Sequence, residues 1–274
     1  MQAWSAFKCQ SGKRIGFVPT MGFLHEGHLA LVRRAKKEND FVVVSIFVNP
    51  TQFGPKEDFN AYPRNLKKDL ALLEKEKVDV VFVPSAKAMY PEGVKASVKA
   101  GPVAKPLEGR FRPGHFDGVC TVVCKLFDLV KPHRAYFGQK DFQQTRVIED
   151  LVARLKLPVR VVVCPTVRES DGLAMSSRNV HLSPMESAMA PVLHQCLLQA
   201  KKDLKAGEPP RKVEKTAIAV LTLSGFEVQY FMVADVQTLA PIGHVKKAKR
   251  KRIVIAVAAY LGKTRLIDDV VFRV

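Results

Sequence analysis

The chain has 274 residues, with 44 Lys and Arg against 26 Asp and Glu, a formal net charge of +18. Its 47% hydrophobic and 26% charged fractions are those of a globular protein and exclude a disordered, collagen-like or coiled-coil chain as a whole. The length predicts one large domain and one small one, and the charge favours anionic partners: nucleotides, acidic metabolites, nucleic acid or a membrane surface.

Residues 1–14 contain no apolar core of signal-peptide length. The longest apolar runs, 41–48 and 253–261, fall short of the roughly 20 residues that a membrane helix needs. Five cysteines without a CxxC pair suit free thiols in a reducing compartment. Together these predict a soluble, cytoplasmic protein.

Residues 15–19 form a short apolar run that enters a Gly-containing turn, as a buried strand does. A helix is predicted over 28–37, where Leu29, Leu31, Val32 and Ala35 are apolar and basic residues close the last turn. The β-branched run 41–48 reads as a parallel strand buried on both faces. A loop over 49–62, a helix over 66–77 and a strand over 78–84 follow. Beyond them come a helix over 115–130, a strand over 135–137, a helix over 141–155 and a strand over 159–164. This alternation predicts an α/β domain, a Rossmann-like doubly wound parallel sheet. Such sheets bind ligands at the carboxyl ends of their strands, where the strand order reverses. The loops after Val18, Val48, Phe137 and Cys164 are therefore the ones to search.

The pattern changes near residue 184. Ser183 is a fair N-cap and Pro184 a good first helical residue. One helix over 185–204, a Gly-Glu-Pro-Pro break at 207–210 and a second helix to residue 223 precede strands over 227–234, 252–260 and 265–272. The chain is thus expected to divide into domain 1–184 and a small α+β lid domain, 185–274. The basic run KKAKRKR at 246–252 is expected to be a solvated turn outside the active site.

Three segments carry chemistry. His25 and His28 flank Gly27 in an H-x-G-H pattern, directly after the first strand and at the start of a helix, in a chain of only 7 histidines. A helix N-terminus offers N–H groups and partial positive charge to phosphate. Gly22 and Gly27 allow close backbone approach, and two imidazoles can hold phosphate oxygens as charge builds on them. A zincin needs histidines at i and i+4, whereas these lie at i and i+3 with no third ligand nearby, so nucleotide binding is preferred to a zinc pair. Met175, Ser176, Ser177 and Arg178 form a second candidate clamp of two hydroxyls and a guanidinium fork, although alone the segment is a plain turn. Gly138, Gln139, Lys140 and Asp141 place a point cation at a strand end, with Asp141 also able to cap the next helix. Cys120 and Cys124, four apart on an apolar helix, read as core thiols.

With these blocks in hand, the chain resembles the pantoate–β-alanine ligase (pantothenate synthetase) family of the H-x-G-H adenylate-forming nucleotidyltransferases, whose second clamp is a KMSKS-like loop. The resemblance rests on FVPTMGFLHEGH, SIFVNPTQFGPKEDFNAYPR, GRFRPGHFDGVCTVVCKLFDLVKP, FGQKDFQQTRVIEDLV and PTVRESDGLAMSSRNVHLS, and in the tail on YFMVADVQTL and TRLIDD. It implies a ligase that converts ATP and (R)-pantoate to pantoyl adenylate and pyrophosphate, then lets β-alanine displace AMP to give pantothenate. It implies catalytic roles for His25, His28, Lys140, Ser176, Ser177 and Arg178. Met21, Gly22, Phe23, Leu24, Glu26, Gly27, Gly138, Gln139, Asp141, Val167 and Met175 complete the implied ATP contacts. Gln52, Gln144, Arg112 and His115 would hold pantoate or β-alanine, and Asp69 would lie near Mg²⁺. A cytoplasmic homodimer with no membrane and no specific nucleic-acid partner is implied as well.

Two other readings stay open. One is a different nucleotidyltransferase of the same superfamily, against which the Gln52 and Gln144 blocks argue, because they serve an acid substrate. The other is a basic nucleic-acid-binding protein, against which the lack of aromatics within the basic run argues.

Overall fold

The computed structural model describes residues 1, 2, 5, 8, 12–55, 57–244 and 252–273. Five parallel strands, β1 (Ile15–Thr20), β2 (Phe41–Ile46), β3 (Val80–Phe82), β4 (Arg134–Gly138) and β5 (Arg160–Cys164), lie in the order β3-β2-β1-β4-β5. The central strand pairs Val18 with Val44 of β2 and Phe17 with Ala135 of β4. A strand covered on both faces has no polar side, which is why β1 and β2 read as mostly apolar runs.

Helices cover both faces. Helix Glu26–Glu38 buries Leu31, Val32 and Ala35 with Val18, Val44 and Tyr136, joined by Leu73 of helix Leu66–Lys75. On the opposite face, helices His115–Val130 and Phe142–Arg154 bury Phe116, Val123, Phe127, Ile148 and Leu151 against Phe17, Val43 and Phe137. This is the doubly wound arrangement the alternation predicts. Cys120 is fully buried in the second of these layers, and burial pushes its thiol up to about 12, so it packs as a small protonated hydrophobe. Burial raises Cys124, Cys164 and Cys196 too.

The smaller sheet is antiparallel, in the order β6 (Phe226–Asp235), β7 (Arg252–Leu261), β8 (Thr264–Arg273). Ile253, Ile255, Val257 and Ala259 of β7 pack with Leu197, Ala200 and Leu204 of helix Val192–Ala206 and with Ala217 and Leu221 of helix Pro210–Leu223.

The chain divides into one unit of Met1–Lys105, Arg112–Gln139 and Gln143–Pro165 and a second of Pro106–Phe111, Lys140–Phe142 and Thr166–Val274. Residues 166–184, which the sequence pattern assigns to the first domain, group with the second, where Leu173 and Leu182 pack in its core and Arg168 is paired to Asp268 of β8. The single helix expected over 185–204 is two, Pro184–Met189 and Val192–Ala206. Pro191 has no N–H for the helical ladder, and its ring crowds the preceding turn. Ser183 does cap the first piece, its hydroxyl accepting from the Glu186 N–H while the Glu186 carboxylate accepts from the Ser183 N–H. The basic run at 246–252 lies outside the described residues except for Arg252, which is exposed. Among the described residues no helix is long and apolar enough to cross a membrane.

Helix His115–Val130 meets the turn Pro50–Gln52 so closely that a Cβ added at Gly118 would lie 2.1 Å from the Thr51 carbonyl oxygen. That oxygen is backbone and has no flexible way to yield. Gly118→Ala is therefore expected to destabilise the protein by about 1–3 kcal/mol. Urea unfolding measures it: a midpoint equal to that of the parent protein would show that helix and turn separate at no cost.

Candidate active site

The order of the parallel sheet reverses at its centre, the chain passing from β1 to β2 on one side and from β4 to β5 on the other. Sheets of this kind bind ligands outside the carboxyl ends of the two strands at that point. Residues 21–28 follow β1, and the turn Gln139–Asp141 follows β4. Two of the three motifs therefore lie at the switch point.

The loop after β1 turns sharply. Gly22 has φ +83° and Phe23 φ +52°, and the left-handed conformation costs a non-glycine residue roughly 1–2 kcal/mol. Two side chains offset that strain. The Thr20 hydroxyl donates to the Ser45 carbonyl and accepts from the Gly22 N–H. Asp69, in the first turn of helix Leu66–Lys75 and only 1% exposed, accepts the Phe23 N–H at 2.8 Å and the Leu24 N–H at 2.7 Å, one on each carboxylate oxygen.

His25 then caps helix Glu26–Glu38. Its Nδ1 accepts from the Gly27 N–H at 3.2 Å, and the Nδ1 of His28 accepts from the His25 N–H at 3.3 Å. A ring nitrogen that accepts a hydrogen bond carries no proton, so in both imidazoles the proton sits on Nε2. The two rings, with centroids 4.1 Å apart, thus each present an Nε2–H donor. H-x-G-H is here a capping box built from imidazoles, in which the same side chains start the helix and carry the donors.

Gln52 lies on the turn Pro50–Gln52 after β2 and is held from two sides. Asn49, which the sequence does not single out, is buried beneath it. Its Oδ1 accepts from the hydroxyls of Tyr90 at 2.6 Å and Thr51 at 3.0 Å, and its Nδ2 donates to the Gln52 side-chain oxygen at 3.1 Å. The Gln52 amide nitrogen lies 3.0 Å from Met21 Sδ. From the main-chain side, Glu57 grips Arg112 in a fork at 2.9 and 2.6 Å, Arg112 Nη1 donates to His115 Nε2 at 3.2 Å, and His115 Nδ1 donates to the Gln52 carbonyl at 2.7 Å. His115 therefore carries its proton on Nδ1, the opposite tautomer to His25 and His28. Burial would raise the Glu57 carboxyl, but Arg112 more than offsets it and holds it below the usual glutamate range. Arg112 and His115, expected at the substrate, are both engaged in supporting the Gln52 turn.

Gln144 is half-buried in the first turn of helix Phe142–Arg154, and Lys140 Nζ lies 4.0 Å from Asp141. In the second unit, the Ser176 hydroxyl caps the turn Ser177–His181 by accepting from the Arg178 N–H at 3.2 Å, so Ser176 does serve the turn, and Ser177 is buried. Asp69 does not fit a Mg²⁺ ligand, since it is buried with each oxygen on a main-chain N–H. Among the described residues no group of three or more His, Cys, Asp or Glu could hold a metal.

The family described as pantoate-beta-alanine ligase matches residues 1–271. A pantothenate synthetase of Thermotoga neapolitana is 54% identical over 275 residues, 99% of this chain and 96% of its own. One from Fervidobacterium nodosum is 50% identical over 274 residues, 100% of this chain and 96% of its own. The crystal structure of pantothenate synthetase from Thermus thermophilus matches with a TM-score of 0.87 at 47% identity, covering 94% of this chain and 92% of that one. A pantoate-β-alanine ligase from Francisella tularensis, solved in complex with β-γ ATP and β-alanine, matches with a TM-score of 0.78 at 36% identity, over 97% of this chain and 94% of that one.

The double hydrogen bond from Asp69 is open to a direct check. Asparagine has one acceptor oxygen for two N–H groups. Asp69→Asn is expected to cost about 1–3 kcal/mol of stability and to speed amide hydrogen exchange at Phe23 and Leu24 more than at Phe137 in β4. Equal protection of Phe23 and Leu24 in the two proteins would show that the turn is held by something else.

Proposed function

The chain belongs to the pantoate–β-alanine ligase family, and from this premise we infer that it condenses (R)-pantoate with β-alanine, consuming ATP and releasing AMP and pyrophosphate. The observation that carries the reading is the imidazole capping box at the switch point of a doubly wound sheet, in a chain that matches this family over nearly its whole length. The β-alanine in the Francisella tularensis complex supports the second substrate.

A carboxylate is a poor acyl donor. In the first step a pantoate carboxylate oxygen attacks the α-phosphorus of ATP, the bond to the bridging oxygen breaks, and pyrophosphate leaves with that electron pair. In the second, the β-alanine amine attacks the pantoyl carbonyl carbon, loses a proton, and AMP leaves with the electrons of the C–O bond. Acceleration of such steps rests on positioning and on donors aimed at developing charge.

We assign His25 and His28 to the phosphates, through their Nε2–H groups. Because each Nδ1 is already fixed by a main-chain N–H, the rings need no reorganisation as charge develops. The N-terminus of helix Glu26–Glu38 adds its own partial charge. Met21, Gly22, Phe23, Leu24, Glu26, Gly27, Gly138, Gln139, Asp141, Val167 and Met175 are assigned to ATP, and Lys140, Ser176, Ser177 and Arg178 add donors for its phosphates. Gln52 and Gln144 are assigned to pantoate, since an amide both donates and accepts and so matches a hydroxy acid. Arg112 and His115 set the position of Gln52. Mg²⁺ is assigned to the phosphates of ATP, where it keeps several of its waters. The family resemblance also supports a homodimer located in the cytoplasm.

Pantoate-dependent exchange of pyrophosphate into ATP, without β-alanine, tests the reading, and its absence from the purified protein would overturn it. His28→Ala is expected to lower that exchange about 10²–10³-fold while circular dichroism shows a folded protein; near-normal exchange would remove His28 from the machinery. Gln52→Ala and Gln144→Ala leave a buried substrate group unpaired, worth about 1–3 kcal/mol. Each should raise KM for pantoate much more than KM for ATP, and equal effects on both would show that the substrates are wrongly divided.

A further inference from the structure

Residues 166–178 carry Val167, Met175, Ser176, Ser177 and Arg178, all assigned above to ATP. They run as a hairpin within the second unit. The main chain of Arg168 pairs with that of Ala174, the Glu169 N–H donates to the Leu173 carbonyl at 2.8 Å, and the Met175 N–H donates to the Val167 carbonyl at 3.0 Å. Gly172 makes the turn at φ +98°, and the Gly172 N–H donates to the Glu169 carbonyl at 3.0 Å. A two-stranded hairpin of this size is marginal in water by itself.

Asp268 on β8 anchors it. The carboxylate is 3% exposed. Arg168 meets it with a full fork, Nη1 to Oδ2 at 2.7 Å and Nη2 to Oδ1 at 2.9 Å, and Nη1 also donates to the Gly172 carbonyl at 3.1 Å. A single guanidinium therefore ties the hairpin's first arm to its turn and both to the sheet. The Asp269 N–H donates to Asp268 Oδ1 at 2.8 Å, and His194 Nδ1 lies 3.3 Å from Oδ2. Burial would raise the Asp268 carboxyl, but His194 and Arg168 more than offset it and hold it below the usual aspartate range.

An arginine in a phosphate-binding segment is ordinarily a phosphate ligand, yet the Arg168 fork is occupied by a buried carboxylate. A buried ion pair adds little net stability over apolar residues of the same volume, so its worth lies in the geometry it fixes. We propose that Arg168 and Asp268 are positioning residues for the phosphate clamp: they set where Val167, Ser176, Ser177 and Arg178 sit, without touching ATP. The proposal rests on the assignment of those four residues to ATP.

Three variants test it. Arg168→Lys keeps the charge and loses the fork. Asp268→Asn keeps the shape and strands the guanidinium, which can unfold the region. The double variant Arg168→Met, Asp268→Leu removes both charges and leaves none unpaired. In pyrophosphate exchange, Arg168→Lys and the double variant should raise KM for ATP about tenfold to a hundredfold with KM for pantoate nearly constant. Amide exchange at Glu169, Gly172 and Met175 should quicken while β4 keeps its protection. Wild-type KM for ATP together with wild-type protection of the hairpin would overturn the proposal. So would a parallel rise in both KM values with protection lost throughout, which marks a merely structural pair. If the parent protein shows no exchange activity, the ligase reading fails, and the hairpin amides alone then decide whether the pair positions this segment.

Discussion

The first unit depends on how β1 ends. A strand buried on both faces must leave the sheet, reverse and start a helix within a few residues, and every main-chain N–H freed on the way needs a partner. Gly22 and Phe23 make the reversal in the left-handed region, Asp69 takes the N–H groups of Phe23 and Leu24, and His28 and His25 take those of His25 and Gly27. The backbone demand and the donors proposed for ATP are met by the same two imidazoles. A change to either histidine therefore acts on local folding and on chemistry together.

A second consequence concerns charge. The chain is strongly cationic, yet three of its carboxylates are each tied to a fixed partner. Asp69 holds backbone, Glu57 holds Arg112, and Asp268 holds Arg168. These three carboxylates hold backbone or guanidinium groups in place, so their charge serves the geometry of the segments they join.

Much of this was legible in the sequence, because much of it is local. Short, mostly apolar runs mark strands buried on both faces, and H-x-G-H placed after such a run marks the helix start. The partnerships were not legible, because they join residues far apart in the chain: Asp69 to Phe23, Tyr90 to Asn49, Glu57 to Arg112. No local period encodes them, and a carboxylate that serves a turn looks, in sequence, like one that serves a metal. The break at Pro191 had a plain local signal that the apolar spacing of the surrounding helix concealed. The membership of residues 166–184 had none, since it follows from long-range packing, including that of Leu173 and Leu182 in the second unit's core.

That ion pair also sets an order in time. Asp268 lies 100 residues downstream of Arg168, and ribosomes add about 5–20 residues per second, so the hairpin waits several seconds for its anchor after it has been made. The carboxylate that ties Arg168 and the Gly172 turn to the smaller sheet thus lies on the last strand, and a chain cut short before β8 lacks it.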